Sequence, residues 1–284
     1  MLIKNFRTQF IQELIPFYDS GEAESFFYLI LENKHLLKRI DLALHPNLTF
    51  SEIEITSWNE ILDKLKQEIP IQYILGTTHF YGLVFNVNEN VLIPRPETEE
   101  LVEWIITSNL KTNSSNNLKI LDIGTGSGCI AIALAKNIPQ AQVFAIDVSE
   151  KALTTAIKNA ENNNVTINFI QKDILLTIDL EQQFDIIVSN PPYVRNLEKT
   201  EIKKNVLDNE PHLALFVDDN DALLFYRKIA ALAKKNLTKN GRLYFEINQY
   251  LAKETVELLD YLDFKNIELR KDIYGNNRMI SCVV

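Results

Sequence analysis

Between positions 119 and 189 the chain alternates short β-branched runs with helical stretches, a pattern that few folds satisfy. The runs lie at 119–123, 142–147, 166–170 and 185–189, and stretches of helical spacing at 128–136 and 149–162 fall between them. Strands joined through helices lie parallel, because a parallel neighbour cannot be reached by a tight turn. The expected fold is therefore α/β, a doubly wound and mostly parallel sheet. Further along, 241–247 adds a strand, 251–262 a helix, and 267–270 with 279–284 a terminal pair whose last member can return antiparallel.

The first 70 residues obey a different period. Phe6, Phe10, Ile11 and Leu14, then Phe26, Phe27, Ile30 and Leu31, then Trp58, Ile61, Leu62 and Leu65 recur at helical spacing. They predict a small domain of four or five helices over 1–70, with Pro70 ending the helical pattern. Aromatic and β-branched residues around Tyr81-Gly82 predict a hairpin within a linker at 71–95. The segment 96–284 holds the sheet, entered by a helix starting at Pro96, where Glu97, Glu99 and Glu100 suit the positive end. The polar run 111–117 reads as a solvated loop. At 284 residues, with 46% apolar and 24% charged, the chain can fill two such cores without metal or disulfide.

Charge and cysteine usage narrow the partners. Lys and Arg number 29 against 38 Asp and Glu, a net charge of −9, so the positive field that carries non-specific affinity for duplex DNA is missing. Cys129 and Cys282 form no C-x-x-C pair and have no neighbouring His, which argues against a zinc site and for two buried thiols in a reducing compartment. No metal is expected. The longest apolar runs fall far short of the roughly 18 residues of a membrane span, and the first residues lack a signal-peptide pattern. The cytoplasm is the expected location. His35, His45, His79 and His212 have no legible acid–base partner and are expected to be structural.

Four places at strand ends carry residues suited to chemistry. Gly124-Thr125-Gly126-Ser127-Gly128 follows the first strand, where a glycine turn lets a ligand approach backbone at a helix N-terminus. A dinucleotide turn needs G-x-G-x-x-G, whereas here the third glycine comes one residue early, which argues against a pyrophosphate ligand. The spacing resembles the first motif of class I S-adenosylmethionine-dependent methyltransferases. Asp147 ends the next strand, where a carboxylate can accept from both hydroxyls of a ribose; capping the helix near Ser149 is the alternative. After the third strand comes Asp173-Ile174. In class I methyltransferases an acid here meets the adenine amine and the next residue packs on the ring, although a capping aspartate is equally consistent.

Asn190-Pro191-Pro192-Tyr193, directly after the fourth strand, is the most specific of the four. Two consecutive prolines forbid helix and remove two donors, leaving a rigid loop of acceptors. A planar NH2 group can give one proton to the Asn190 side-chain oxygen and one to the Pro191 carbonyl. Tyr193 can then lie against that group or face a sulfonium.

These motifs, with Pro70-Ile-Gln-Tyr-Ile-Leu-Gly76, Phe80-Tyr-Gly82, the segment Val91 to Glu99 containing Arg95-Pro-Glu-Thr98, Glu210-Pro211, Ala214-Leu215, Asp272, Gly275 and Arg278, extend the resemblance over nearly the whole chain. The sequence is similar to the peptide-chain release factor glutamine N5-methyltransferases of the HemK/PrmC family. That resemblance implies a helical substrate-recognition domain, a hairpin connection and a seven-stranded methyltransferase sheet. It also implies S-adenosylmethionine as cofactor and, as substrate, the glutamine of the Gly-Gly-Gln loop of class I release factors, a step that serves translation termination. Expected cofactor contacts are Gly124, Thr125, Gly126, Ser127, Gly128, Asp147, Asp173, Ile174 and Asn190. Asn190, Pro191, Pro192 and Tyr193 would bind substrate, with Asn190, Pro191 and Tyr193 catalytic. Direct nucleic-acid or membrane binding is not expected. Two alternatives stay open: a ribosomal-protein glutamine methyltransferase, and an adenine-N6 methyltransferase acting on a flipped base, which would want a basic groove.

Overall fold

The computed structural model describes residues 1–110 and 118–284, so the loop expected at 111–117 lies outside the described residues. They form two compact units, Met1–Gly76 with Lys203–Asn209, and Thr77–Ile202 with Glu210–Val284.

The first unit is helical: Ile3–Leu14, Ser20–His35, Arg39–Leu44, Glu52–Lys66, Ile71–Leu75 and Lys204–Asn209. Its two longest helices start where small polar side chains satisfy free amides, Asp19 accepting from Glu22 N and Ser51 forming a reciprocal pair with Glu54. Trp58 is buried in its core, with the rings of Phe6 and Phe10 edge-on at 5.6 Å. The Trp58 indole N–H donates to His35 Nε2 at 3.0 Å, and His35 Nδ1 lies 3.3 Å from Glu54, a structural histidine. Pro70 does not end the helical region. It caps Ile71–Leu75, because the first positions of a helix need no proline N–H and suit its fixed φ. The segment Lys203–Asn209, far away in sequence, joins this unit through Lys204, whose Nζ is 3.1 Å from Glu68, and through Asn209, which donates to the Glu68 carbonyl.

The second unit opens with the hairpin β1 (Thr77–Phe80) and β2 (Leu83–Asn86), turned by Tyr81 and Gly82, both at positive φ, so its twist matches that of the strands. Then follow β3 (Lys119–Ile123), β4 (Gln142–Asp147), β5 (Asn168–Gln171) and β6 (Phe184–Ser189). After a small parallel pair, β7 (Val194–Arg195) and β8 (Phe216–Val217), come β9 (Leu237–Glu246), β10 (Lys265–Lys271) and β11 (Asn277–Val283). The seven-stranded sheet has the order β10-β11-β9-β6-β3-β4-β5, parallel except for β11, which is antiparallel to both its neighbours. The antiparallel return follows from the tight turn after β10, where the Asp272 carboxylate accepts from the amides of Tyr274 and Asn276.

Both faces of the sheet are covered at its centre, which is why its inner strands are largely apolar, whereas the edge strand β10 is polar and mostly exposed. Ile120, Val143, Ile186 and Tyr244 face a core built with the helices Pro96–Leu110 and Cys129–Asn137. Leu121, Ile187, Leu243 and Phe245 face a second core with Leu224–Asn236 and Ala252–Tyr261. Of the two thiols only Cys282 is buried; Cys129 is half-buried because it stands at the first turn of its helix. Among the described residues no helix is long and apolar enough to cross a membrane.

The connection from β3 runs to β4 on one side, while β6 pairs with β3 on the other. Such a divergence opens a crevice at the carboxyl ends of the strands. One residue before the end of β3 lies Asp122, fully buried and accepting from the Thr125 hydroxyl at 2.6 Å. Burial pushes its pKa up to about 7 from an ordinary value of 3.8. A carboxyl raised in this way holds a proton that the unfolded chain has released, so its contribution to stability is complete below pH 4 and is lost as pH rises through 7. Asp122→Asn keeps an acceptor for Thr125 and removes the ionisation. The variant should gain on the order of 2 to 4 kcal/mol relative to wild type between pH 4 and pH 8. Denaturation midpoints measured across that range check this, and parallel pH profiles for the two proteins would contradict it.

Candidate active site

A cavity of about 250 Å3 opens where the chain leaves β3, β4, β5 and β6, lined among others by Gly124, Gly126, Asp147, Asp173, Ile174 and Asn190. Pro191 and Pro192 also line it, whereas Thr125, Ser127, Gly128 and Tyr193 do not. Sequence reasoning missed other parts of the wall: Val91 and Leu92 ahead of the first helix of this unit, Leu213 and Ala214, and Phe225 and Ile229. Val91, Leu92 and Ala214 stand in segments that carry the family resemblance, whereas Leu213, Phe225 and Ile229 are ordinary apolar residues with no local signal. Among the described residues no group of three or more His, Cys, Asp or Glu side chains could hold a metal.

The glycine turn divides its work. Gly124 and Gly126 have positive φ, and a Cβ on either would meet nothing within 4 Å, so their bare backbone borders open space. Gly128, at φ +82, is a packing position: a Cβ there would come 3.0 Å from Ile132 and 3.1 Å from Ala156. Four of the turn's amides are already used within the protein. Gly124 and Thr125 donate to the Ile146 carbonyl, Gly126 to Asp147 Oδ2 at 2.8 Å, and Gly128 to the Thr125 carbonyl. Thr125 and Ser127 likewise point their polar groups inward, the hydroxyl of Thr125 to Asp122 and the carbonyl of Ser127 to Asn159. Asn159 also exchanges hydrogen bonds with the Asn86 backbone and so ties the hairpin to the turn. The turn is a rigid wall rather than a ring of waiting donors.

Asp147 closes the next corner. Its two oxygens accept from Gly126 N and from Ser149 N, at 2.8 and 2.9 Å, while burial raises its pKa and those bonds oppose the rise. The cap of the helix Glu150–Asn162 is Ser149, not Asp147. Each oxygen keeps acceptor capacity, since a carboxylate offers about four lone-pair sites. Asp173 accepts from Leu175 N at 2.8 Å, so it holds its own turn as well as lining the cavity, and Ile174 beside it is buried in the second core. Bare glycine backbone, a carboxylate at the end of β4 and an apolar wall suit an adenosine-type cofactor with no phosphates.

The loop after β6 is fastened at its start by Ser189, whose hydroxyl donates to the Ile123 carbonyl at 2.6 Å. Asn190 Nδ2 lies 3.4 Å from Thr98 Oγ1, and the Thr98 hydroxyl donates to Glu246 Oε2 at 2.6 Å. The other Glu246 oxygen accepts from the Tyr193 hydroxyl at 3.0 Å. Tyr193 thus points at Glu246 instead of the cavity, and its carbonyl accepts from Asn248. Burial and the adjacent Glu246 push the Tyr193 phenol far above its usual range, which keeps it a donor. Glu246 is 1% exposed; burial raises its pKa, opposed by the Thr98 and Tyr193 bonds and by Arg278. Arg95, three residues before Thr98, pairs with buried Glu210 at 2.6 Å, and Glu210 also accepts from Ile93 N. Thr98 and Glu246 did carry a signal: one stands in the Arg95-Pro-Glu-Thr98 segment, the other ends an apolar strand as Asp147 does.

Comparison with known proteins agrees with this arrangement. Residues 9–76 match the PrmC N-terminal domain, and residues 104–215 match the Methyltransferase small domain. The release factor glutamine methyltransferase of Flavobacterium psychrophilum is 69% identical over 280 residues, 99% of this chain and 98% of that protein. The enzyme of the same name from Bacteroides thetaiotaomicron is 41% identical over 271 residues, 95% and 96% of the two chains. In fold, the sheet unit is like the T. thermophilus 16S rRNA N2 G1207 methyltransferase solved with AdoMet and guanosine, with a TM-score of 0.53 and 18% identity over 73% of this chain and 49% of that one. Because the matches run through the helical unit and the sheet alike, the chain belongs to the release factor glutamine methyltransferase family.

Proposed function

We propose that this chain transfers a methyl group from S-adenosylmethionine to the side-chain amide nitrogen of a release-factor glutamine, with Asn190 and Pro191 accepting the two N–H bonds of that amide. The observation that carries the assignment to these residues is a loop of acceptors, Asn190-Pro191-Pro192, on the wall of the cavity that Gly124, Gly126 and Asp147 also line. The cofactor supplies an electrophilic methyl group. Asp147 would hold its ribose, Asp173 and Ile174 its adenine, and the glycine turn would border it.

An amide nitrogen is a poor nucleophile because its lone pair is delocalised. Two acceptors that fix both N–H bonds aim the lone pair and favour positive charge on nitrogen as the new bond forms. The surplus proton leaves to solvent once the methylated nitrogen has become cationic, so neither Tyr193, held as a donor to Glu246, nor a histidine is required as a base. We assign the helical unit the task of gripping the release factor away from the glutamine, with 203–209 included because that segment folds with it. The chain's net charge of −9 supports a protein substrate in preference to nucleic acid, and the absence of a membrane-length helix among the described residues is consistent with a cytoplasmic enzyme.

Incubation with labelled S-adenosylmethionine and, separately, release factors, ribosomal protein and duplex DNA tests this reading. Label is expected at a release-factor glutamine; label in DNA alone would reject it. Three further outcomes are expected. Asp147→Ala should weaken S-adenosylmethionine roughly 10- to 100-fold in calorimetry, the net equivalent of one lost charge-assisted hydrogen bond of about 1.5 to 3 kcal/mol; unchanged affinity would make Asp147 a loop anchor only. Asn190→Ala should lower kcat about 100-fold with little change in cofactor affinity, and near-normal turnover would remove the acceptor role. A short peptide carrying the substrate glutamine should show kcat/KM at least about 10-fold below intact release factor, whereas equal values would deny the helical unit its grip.

A further inference from the structure

The side-chain amide of Asn190 has two ends of nearly equal shape and opposite chemistry, an acceptor oxygen and a donor NH2. An amide substrate needs the oxygen. A half-turn about the last side-chain bond would present NH2 to the substrate's own NH2, and two donors repel. The proline loop does not decide between these orientations, because it fixes backbone and not the amide plane. The decision lies behind Asn190, in side chains 92 and 56 residues away in sequence.

Glu246 is buried at the end of β9 and takes two hydroxyl hydrogens, from Thr98 at 2.6 Å and Tyr193 at 3.0 Å. A carboxylate is acceptor-only, so the single hydrogen of the Thr98 hydroxyl is committed to it. Thr98 Oγ1 then has lone pairs alone to offer, and the group it meets at 3.4 Å is Asn190 Nδ2. Were the Asn190 oxygen placed there, two acceptors would face each other with no hydrogen between them. We propose that Thr98 and Glu246 are positioning residues that orient the Asn190 amide, holding its NH2 end so that its oxygen is the end left for the substrate. Tyr193 reinforces this by keeping the second Glu246 oxygen occupied, which holds the carboxylate in place. The buried pair joins the helix that begins at Pro96 to the end of β9, so the Arg95-Pro-Glu-Thr98 segment and the Asn190 loop become parts of one device.

This inference rests on the reading that Asn190 accepts from the substrate amide. Thr98→Val keeps the shape and removes the hydroxyl, while Thr98→Ser keeps the hydroxyl and removes a methyl. Both are measured in the full chain for kcat and KM with intact release factor, for S-adenosylmethionine affinity by calorimetry, and for melting temperature. Thr98→Val should lose about 10-fold in kcat, with cofactor affinity within about twofold of wild type and KM changed less than kcat. Thr98→Ser should stay within about threefold of wild type in kcat. If Thr98→Val does not fold, Thr98→Ala takes its place with the same expected loss. A hydroxyl-free variant with wild-type kcat, a serine variant as slow as the valine one, or a rate loss matched by lost cofactor affinity would each overturn the proposal. A wild-type enzyme that binds S-adenosylmethionine but leaves the release factor unlabelled would instead overturn the proposed function and take this inference with it.

Discussion

A carboxylate taken out of water must be given hydrogen bonds or a counter-charge, and that requirement organises the carboxyl edge of the sheet. Asp122, Asp147 and Glu246 come at or next to the ends of β3, β4 and β9, and each draws its partners from a loop or from the first turn of a helix. Asp122 holds Thr125, Asp147 holds Gly126 and Ser149, and Glu246 holds Thr98 and Tyr193. Loops at a sheet edge are ordinarily the mobile part of an α/β fold. Here the acids pin them, and Glu210 does the same for Arg95 and Ile93. The sheet decides where the cavity lies, and the buried acids decide the form of its walls.

Features that depend on neighbours in sequence are legible in the sequence itself. The change of period at residue 119, the glycine spacing and the paired prolines of 191–192 act over a few residues, and each forces one local conformation. Reading the outcome of contacts between distant segments was a different matter. Tyr193 is expected against the substrate, yet its hydroxyl finds Glu246, 53 residues away. Thr98 and Glu246 meet across 148 residues, which no periodicity reports. Thr125, Ser127 and Gly128 share a motif with Gly124 and Gly126 but turn inward, because a tight turn must bury some of its members to present the others. Pro70 shows a local ambiguity of another kind, since proline both stops and starts helices and only the residues that follow decide. The segment 203–209 folds with the helices of 1–76 because its partners, Glu68 above all, are set by tertiary packing.

Adenosine compounds that carry phosphates share ribose and adenine with the cofactor of this family, and a site that recognised only those two parts would be occupied by them as readily. Discrimination is a difference of affinities, built as much by penalising the wrong ligand as by favouring the right one. The glycine turn is built in a way that supplies one such penalty. A phosphate placed beside it would lose its water and find the amides of Gly124, Thr125, Gly126 and Gly128 already donating elsewhere, with the Asp147 carboxylate close by. The internal hydrogen bonds that make the turn rigid therefore also withhold the amides of Gly124, Thr125, Gly126 and Gly128 from any anion that approaches it.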